Sequence, residues 1–233
     1  MLRYVDAHAH LDSDIYARDL DAVVKRARDE DVVVVTVGSD YASSRRAVEI
    51  ADRYDGVYAA VGLHPKRVPA DLSADDKLLS VEKFHELASH PKVVAIGECG
   101  LDFRELADAR RNEPDVTGRI RDNQIKVFGR FLELSRSLRL PLILHCREAH
   151  DEMLELLETW DRSTSGFDAR GIVHCFSGDW RQAKRYFNLN FCLSLTGLLS
   201  HEGYQAEIAK KAPLSHLVVE SDCPYMSPLA WAA

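Results

Sequence analysis

Val32-Val33-Val34-Val35-Thr36-Val37, closed by Gly38, is a run of β-branched residues with no polar alternation. A strand that meets solvent on one face alternates apolar and polar residues, whereas a strand covered on both faces reads as an unbroken apolar run. Parallel sheets flanked by helices produce strands of the second kind. The neighbouring segments agree with that reading. Upstream, Ala17 to Glu30 carries Leu20, Val23, Val24 and Ala27 at helical spacing between charged residues; downstream, Ser43 to Tyr54 reads as a second helix.

Working outward in both directions, the alternation persists. Val5 to Leu11 precedes the first helix as a short strand. Strands are expected at Val57–Leu63, Val93–Ile96, Leu142–Leu144, Gly171–Val173, Phe191–Leu195 and Leu217–Val219. Helices are expected at roughly Ser80–Ser89, Asp122–Leu138, His150–Trp160, Trp180–Phe187 and Tyr204–Lys211. Eight strands, the first seven each followed by a helix, make an α/β chain and point to a closed (β/α)8 TIM-type barrel. A doubly wound open sheet is the alternative. Barrels of this kind run to roughly 250 residues as one unit, so residues 1–233 are expected to form a single domain. Arg104 to Arg121, with Pro114 and Gly118, reads as a long loop on the face where strands end.

Composition narrows the function. The chain has 46% hydrophobic and 29% charged residues, ordinary for a globular protein, and a net charge of −7, which argues against broad attraction to a polyanion. Any nucleic-acid contact is expected to be local. No apolar run approaches the ~18 residues of a membrane span, and no basic-then-apolar leader is present, so a cytoplasmic protein is expected. Five cysteines without a CxxC pair fit free thiols in a reducing compartment. Cys99, Cys146, Cys175 and Cys223 directly follow Glu98, His145, His174 and Asp222. Strand alternation therefore turns the cysteines outward as buried packing residues if the preceding residues face a central site.

The chemistry-bearing residues sit where such a barrel keeps its site. His8 and His10 lie two apart on one strand face, and two imidazoles from one rigid segment make half of a divalent-metal site. His64 follows the third strand, Glu98 the fourth, His145 the fifth, His174 the sixth and Asp222 the eighth, all at C-terminal strand ends. His85, His90, His150, His201 and His216 fall in helices, connections or strand starts and are read as surface or structural.

Asp6-x-His8-x-His10-Leu11, Gly62-Leu63-His64-Pro65, Gly97-Glu98-Cys99-Gly100-Leu101-Asp102, Gln124-x-x-x-Phe128, His145-Cys146-Arg147, His174-Cys175-Phe176-Ser177-Gly178 and Glu220-Ser221-Asp222-Cys223-Pro224-Tyr225 together resemble the TatD-type metal-dependent deoxyribonucleases of the amidohydrolase superfamily. The resemblance runs from residue 4 to about residue 227. It implies a (β/α)8 barrel holding two divalent ions on His8, His10, Glu98, His145, His174 and Asp222, with Glu98 bridging. A His and carboxylate set without thiolate suits Mg2+, Mn2+ or Zn2+, and an anionic bridge lets two dications sit close together.

The implied activity is hydrolysis of DNA phosphodiesters, exonuclease-like, by metal-activated hydroxide, with Asp222 as proton acceptor. His64 and Arg147 are candidates to hold phosphate oxygens, and Glu220 and Asp102 to orient ligands by hydrogen bonds. A hydrolase of a small amide, ester or lactone is the alternative. Two departures stand out. The chain ends at Ala233, soon after the Pro-Tyr motif, so the last outer helix is expected to be lacking; Val218, Leu2 or Val5 are then left partly exposed, and either self-association through that side or reduced stability is expected, with residues 228–233 folding back as a partial cover. The 104–121 segment is long, and Arg111-Asn112-Glu113-Pro114 resembles a sequence that members carry after the last strand.

Overall fold

The computed structural model describes residues 4–72, 81–104, 106, 114–162, 170–201 and 205–228. Strands β1 (Tyr4–Ala9), β2 (Val32–Val37), β3 (Val57–Val61), β4 (Val93–Asp102), β5 (Leu142–Arg147), β6 (Gly171–Val173), β7 (Phe191–Leu195) and β8 (Leu217–Val219) lie in one sheet in chain order. Each pairs in parallel with the next. A doubly wound sheet reverses its strand order part-way, so the unbroken order excludes that alternative. Helices α1 (Leu20–Asp29), α2 (Tyr41–Arg53), α3 (Val81–Ala88), α4 (Pro114–Leu138), α5 (His150–Arg162), α6 (Trp180–Asn188) and α7 (Ala206–Lys211) follow β1 to β7 in turn. No helix among the described residues is long and apolar enough to cross a membrane.

Strand β2 is buried on both faces, as its valine run requires, and so is most of the sheet away from the β8–β1 junction. Inside the ring a small cluster of Val37, Ala60, Ala95 and Ile143 packs with Val35 and Ile172. Outside it, a larger core that includes Val34, Val61, Ile96, Leu101, Leu144, Phe128, Phe131 and Met153 joins sheet to helices. Cys99 and Cys146 belong to this outer core, where alternation places them, and burial pushes both thiols well up. Cys175, Cys192 and Cys223 are only half-buried. Cys175 has φ +41, so strand alternation no longer governs its side chain.

The 104–121 expectation is corrected in part. Within that range helix α4 begins at Pro114, eight residues before the predicted start at Asp122. Proline suits the first turn of a helix, where its missing N–H has no partner to lose, and Asp115 beside it favours the positive helix end. Thr117 is buried, so this turn packs against the molecule. Residues 111–113 lie outside the described residues. Strand β4 likewise runs six residues past the predicted Ile96, because Gly97 and Gly100 conceal its pattern.

The ring closes unevenly. Past the end of β8, the Asp222 N–H donates to the His8 carbonyl (2.9 Å) and the His10 N–H to the Cys223 carbonyl (2.8 Å). The Asp6 carboxylate accepts from Ser221 N (2.8 Å) and Oγ (2.6 Å) across the same junction. Toward the other end, Tyr4, Val5 and Val219 are 60%, 51% and 63% exposed. They border a groove of about 560 Å3 that also takes in Leu199 and Pro228. The apolar exposure expected on this side is present at Val5 and, in part, at half-buried Val218, and it is largest at Val219. Leu2 and residues 229–233 lie outside the described residues.

Candidate metal centre

At the C-terminal ends of the strands a cavity of about 680 Å3 is lined by His10, His64, Glu98, His145, Arg147, His174 and Asp222, among others. His8 lies fully buried beneath it. Glu98, 3% exposed, stands at the middle, and its two carboxylate oxygens face different groups. Oε2 lies 3.6 Å from His8 Nε2 and 3.9 Å from His10 Nε2. Oε1 lies 2.7 Å from His145 Nδ1, 3.5 Å from His64 Nε2 and 3.8 Å from His174 Nε2. Asp222 Oδ1 approaches His10 Nε2 (3.4 Å) and His8 Nε2 (3.6 Å). His8, His10 and Glu98 thus offer ligand atoms to one point, and His64, Glu98 and His145 to a second. His8, His174 and Glu220 form a third such group, deeper in the ring.

Each imidazole is oriented by what its other nitrogen meets. His10 Nδ1 donates to the Val37 carbonyl at 2.8 Å. His145 Nε2 lies 3.0 Å from Asp102 Oδ2, and His174 Nδ1 lies 2.7 Å from Glu220 Oε1. Glu220 is itself held by the Cys175 N–H (2.8 Å), and the Asp102 backbone N–H by Gln124 Oε1 (2.9 Å). His64 differs: its Nδ1 accepts the Lys66 backbone N–H at 3.0 Å. His8 Nδ1 is buried without a hydrogen-bond partner among the described residues.

The electrostatics follow from these contacts. Burial opposes ionisation of Glu98, but the imidazoles of His64, His145, His8 and His174 outweigh it and hold its carboxyl well below the usual range. Burial, reinforced by His174, keeps His8 neutral. Burial pulls His64 down to about 4. For His145 and His174 burial acts the same way, yet the carboxylates of Asp102 and Glu98 raise the first, and those of Glu220, Glu98 and Asp222 the second. Buried carboxylates and imidazoles converging on shared points are a donor set that fits divalent cations without thiolate.

All the residues singled out from the sequence therefore meet here, Arg147 at the rim. His85 is exposed, and His90, His201 and His216 are half-buried away from the centre. His150 is buried in a neighbouring network rather than in this one. The sequence reading missed the rest of the rim: Ser39, Asp40 and Arg46 after β2, and Lys66 and Arg67 after β3. Their signal was positional, since the loops after strands two and three open on the same face as the histidines.

The family model for "TatD related DNase" matches residues 5–231. The chain is 34% identical over 226 residues to the uncharacterized metal-dependent hydrolase YabD of Bacillus subtilis, covering 96% of this chain and 81% of that one. It is 32% identical over 228 residues to the 3'-5' ssDNA/RNA exonuclease TatD of Erwinia billingiae, covering 96% and 80%. Its backbone superposes on the crystal structure of YJJV, a TatD homologue from Escherichia coli, with TM-score 0.81 at 28% identity over 97% of this chain and 82% of that one. With the eight-stranded ring and the converging His and carboxylate groups, these matches place the chain in the TatD-related DNase family of metal-dependent hydrolases.

Proposed function

We propose that the protein is a two-metal phosphodiesterase that removes nucleotides from an end of single-stranded DNA, with His8, His10, Glu98, His145, His174 and Asp222 as ligands. The observation that carries this reading is the division of Glu98, whose Oε2 faces His8 and His10 while Oε1 faces His145, His64 and His174. A carboxylate so placed can bridge two cations. Divalent ions held there supply Lewis acidity toward a phosphoryl oxygen and bring water's pKa near neutrality.

Tautomers sort the histidines into roles. A neutral imidazole that donates through one nitrogen presents a lone pair at the other. His10 donates to Val37 through Nδ1, His174 faces Glu220 through Nδ1, and His145 faces Asp102 through Nε2. His10 Nε2, His145 Nδ1 and His174 Nε2 face Glu98 or Asp222 and would present lone pairs to a cation held among them. His64 is the reverse. Its Nδ1 accepts from Lys66, so its proton resides on Nε2, which faces the centre as a donor. His64 therefore serves by donating to a phosphate oxygen. Arg147, on the rim, holds a second phosphate oxygen in bidentate fashion. Asp222, within reach of both histidines of β1, accepts the proton of the attacking water. The net charge of −7 restricts the contact with DNA to the few phosphates near this rim.

The names of the TatD relatives support a nucleic-acid substrate and polarity from the 3' end. Hydrolysis of bis-p-nitrophenyl phosphate, measured against a panel of simple esters, amides and lactones, tests the reading. Chelation should abolish phosphodiester hydrolysis, and Mg2+, Mn2+ or Zn2+ should restore it. Full activity in chelator, or a preference for the amides or esters, overturns it.

A further inference from the structure

A second cavity, of about 440 Å3, opens beside the metal centre on the same face of the barrel. Its volume is in the range of about 300–1,000 Å3 that small-molecule sites occupy. Arg147 lines both cavities, so it forms the wall between them. We propose that this second cavity seats the sugar-phosphate unit next to the scissile one in a single strand, an inference that rests on the phosphodiesterase reading above.

The charges in the cavity support an anionic occupant. Of its four carboxylates, two are paired with arginines. Asp151 pairs with Arg181 (3.0 Å) and Arg185 (3.6 Å), and Glu152 hydrogen-bonds Arg121. Asp179 accepts the Gln182 N–H at 2.7 Å as the cap of α6. Glu148 is exposed at the margin. Arg147 and Arg104, by contrast, have no carboxylate within ion-pair distance among the described residues. Two guanidiniums without a carboxylate partner among the described residues match the bidentate geometry of phosphate.

The floor presents a fixed hydroxyl. Ser177 Oγ lies 3.1 Å from His150 Nε2 and 3.3 Å from the Cys146 carbonyl, and His150 Nδ1 is 3.1 Å from the hydroxyl of buried Tyr186. Burial brings His150 down to about 4, so this chain holds Ser177 through a neutral imidazole. The hydroxyl is thus held in place at the cavity wall with its own proton given to the Cys146 carbonyl, and contact with a phosphate falls to the arginines. Among the described residues no Phe, Tyr or Trp lines the cavity. Single-stranded bases bind by stacking on such rings, so the site grips backbone and leaves base identity unread.

The test uses 5'-fluorescein tetrathymidylate and bis-p-nitrophenyl phosphate with the full chain. Arg104→Glu and Ser177→Tyr, the first at an exposed position, should each weaken tetrathymidylate binding about tenfold, read by anisotropy in chelator at low salt. With metal restored, each should lower the ratio of kcat/KM for tetrathymidylate to that for bis-p-nitrophenyl phosphate by a similar factor. Arg136→Glu, in the exposed last turn of α4 and away from this face, should change neither, and Arg67→Glu, on the opposite rim, should lower the ratio less than Arg104→Glu does. If Arg104→Glu and Ser177→Tyr leave binding and ratio at wild-type values while bis-p-nitrophenyl phosphate is still hydrolysed, the strand does not use this cavity, and the phosphodiesterase reading stands without it. A tenfold loss confined to Arg67→Glu places the strand on the other side and overturns the inference equally. No diester hydrolysis by the wild type overturns both.

Discussion

His150 makes the stability of this fold sensitive to mild acid. The imidazole is 6% exposed, with both nitrogens 3.1 Å from hydroxyls, those of Tyr186 and Ser177. Burial is the main cause that brings it from 6.5 to about 4, with His145 acting the same way and Asp151 and Asp179 opposing. A group held below its unfolded value binds its proton more readily in the unfolded chain. The stability it allows is therefore complete above pH ~6.5 and lost as pH falls toward 4. Each pH unit in that window costs about 1.4 kcal/mol at most, so by pH 4.5 this one residue removes about 2 to 3 kcal/mol. Urea unfolding of chelated protein at steps between pH 7.5 and 4.5, followed by tryptophan fluorescence, would show it. His150→Gln keeps a hydrogen-bonding side chain that does not titrate, so its stability should fall by about 2 to 3 kcal/mol less than wild type over the same range. Parallel curves for the two proteins would refute the reasoning.

Asp222→Asn should lower phosphodiester hydrolysis by roughly 10²- to 10⁴-fold with the fold intact, and turnover near wild type would move the proton acceptor elsewhere. Gly100→Ala should destabilise by about 2 to 4 kcal/mol in urea, because φ is +144 and a Cβ there would lie 2.1 Å from the His145 carbonyl oxygen; a change under about 0.5 kcal/mol would contradict this. Binding of single-stranded DNA should weaken with salt along a log–log slope of about −1.5 to −3, reporting ~2 to 4 phosphates, and a much steeper slope would mean a longer track.

The valine run of β2 was legible because burial on both faces leaves a composition no half-exposed strand has. The histidines were legible because strand ends are fixed by the same pattern that fixes the strands. Helix α4 was not, since Pro114 and Gly118 are loop residues by local preference, and only packing around Thr117 overrides them. The end of β4 was hidden for a related reason: glycines sit where neighbouring strands approach too closely for a Cβ, so the residues that enable the contact erase the apolar signature. The inversion of His64 relative to the other histidines had no trace in sequence. It depends on a backbone N–H two residues on, donated at 3.0 Å by a turn whose geometry the motif does not encode.

The junction between the last strand and the first ties chemistry to cohesion. Asp222 gives its backbone N–H to β1 while its carboxylate faces the histidines of that same strand. Opening the ring at this seam therefore dismantles the centre, and whatever grips Asp222 together with His8 and His10 works as a rivet through both edges. By mass action a ligand at a hundred times its dissociation constant would hold the seam shut by about 2.7 kcal/mol. Losing such a ligand would then loosen the ring as well, first around the exposed Tyr4, Val5 and Val219.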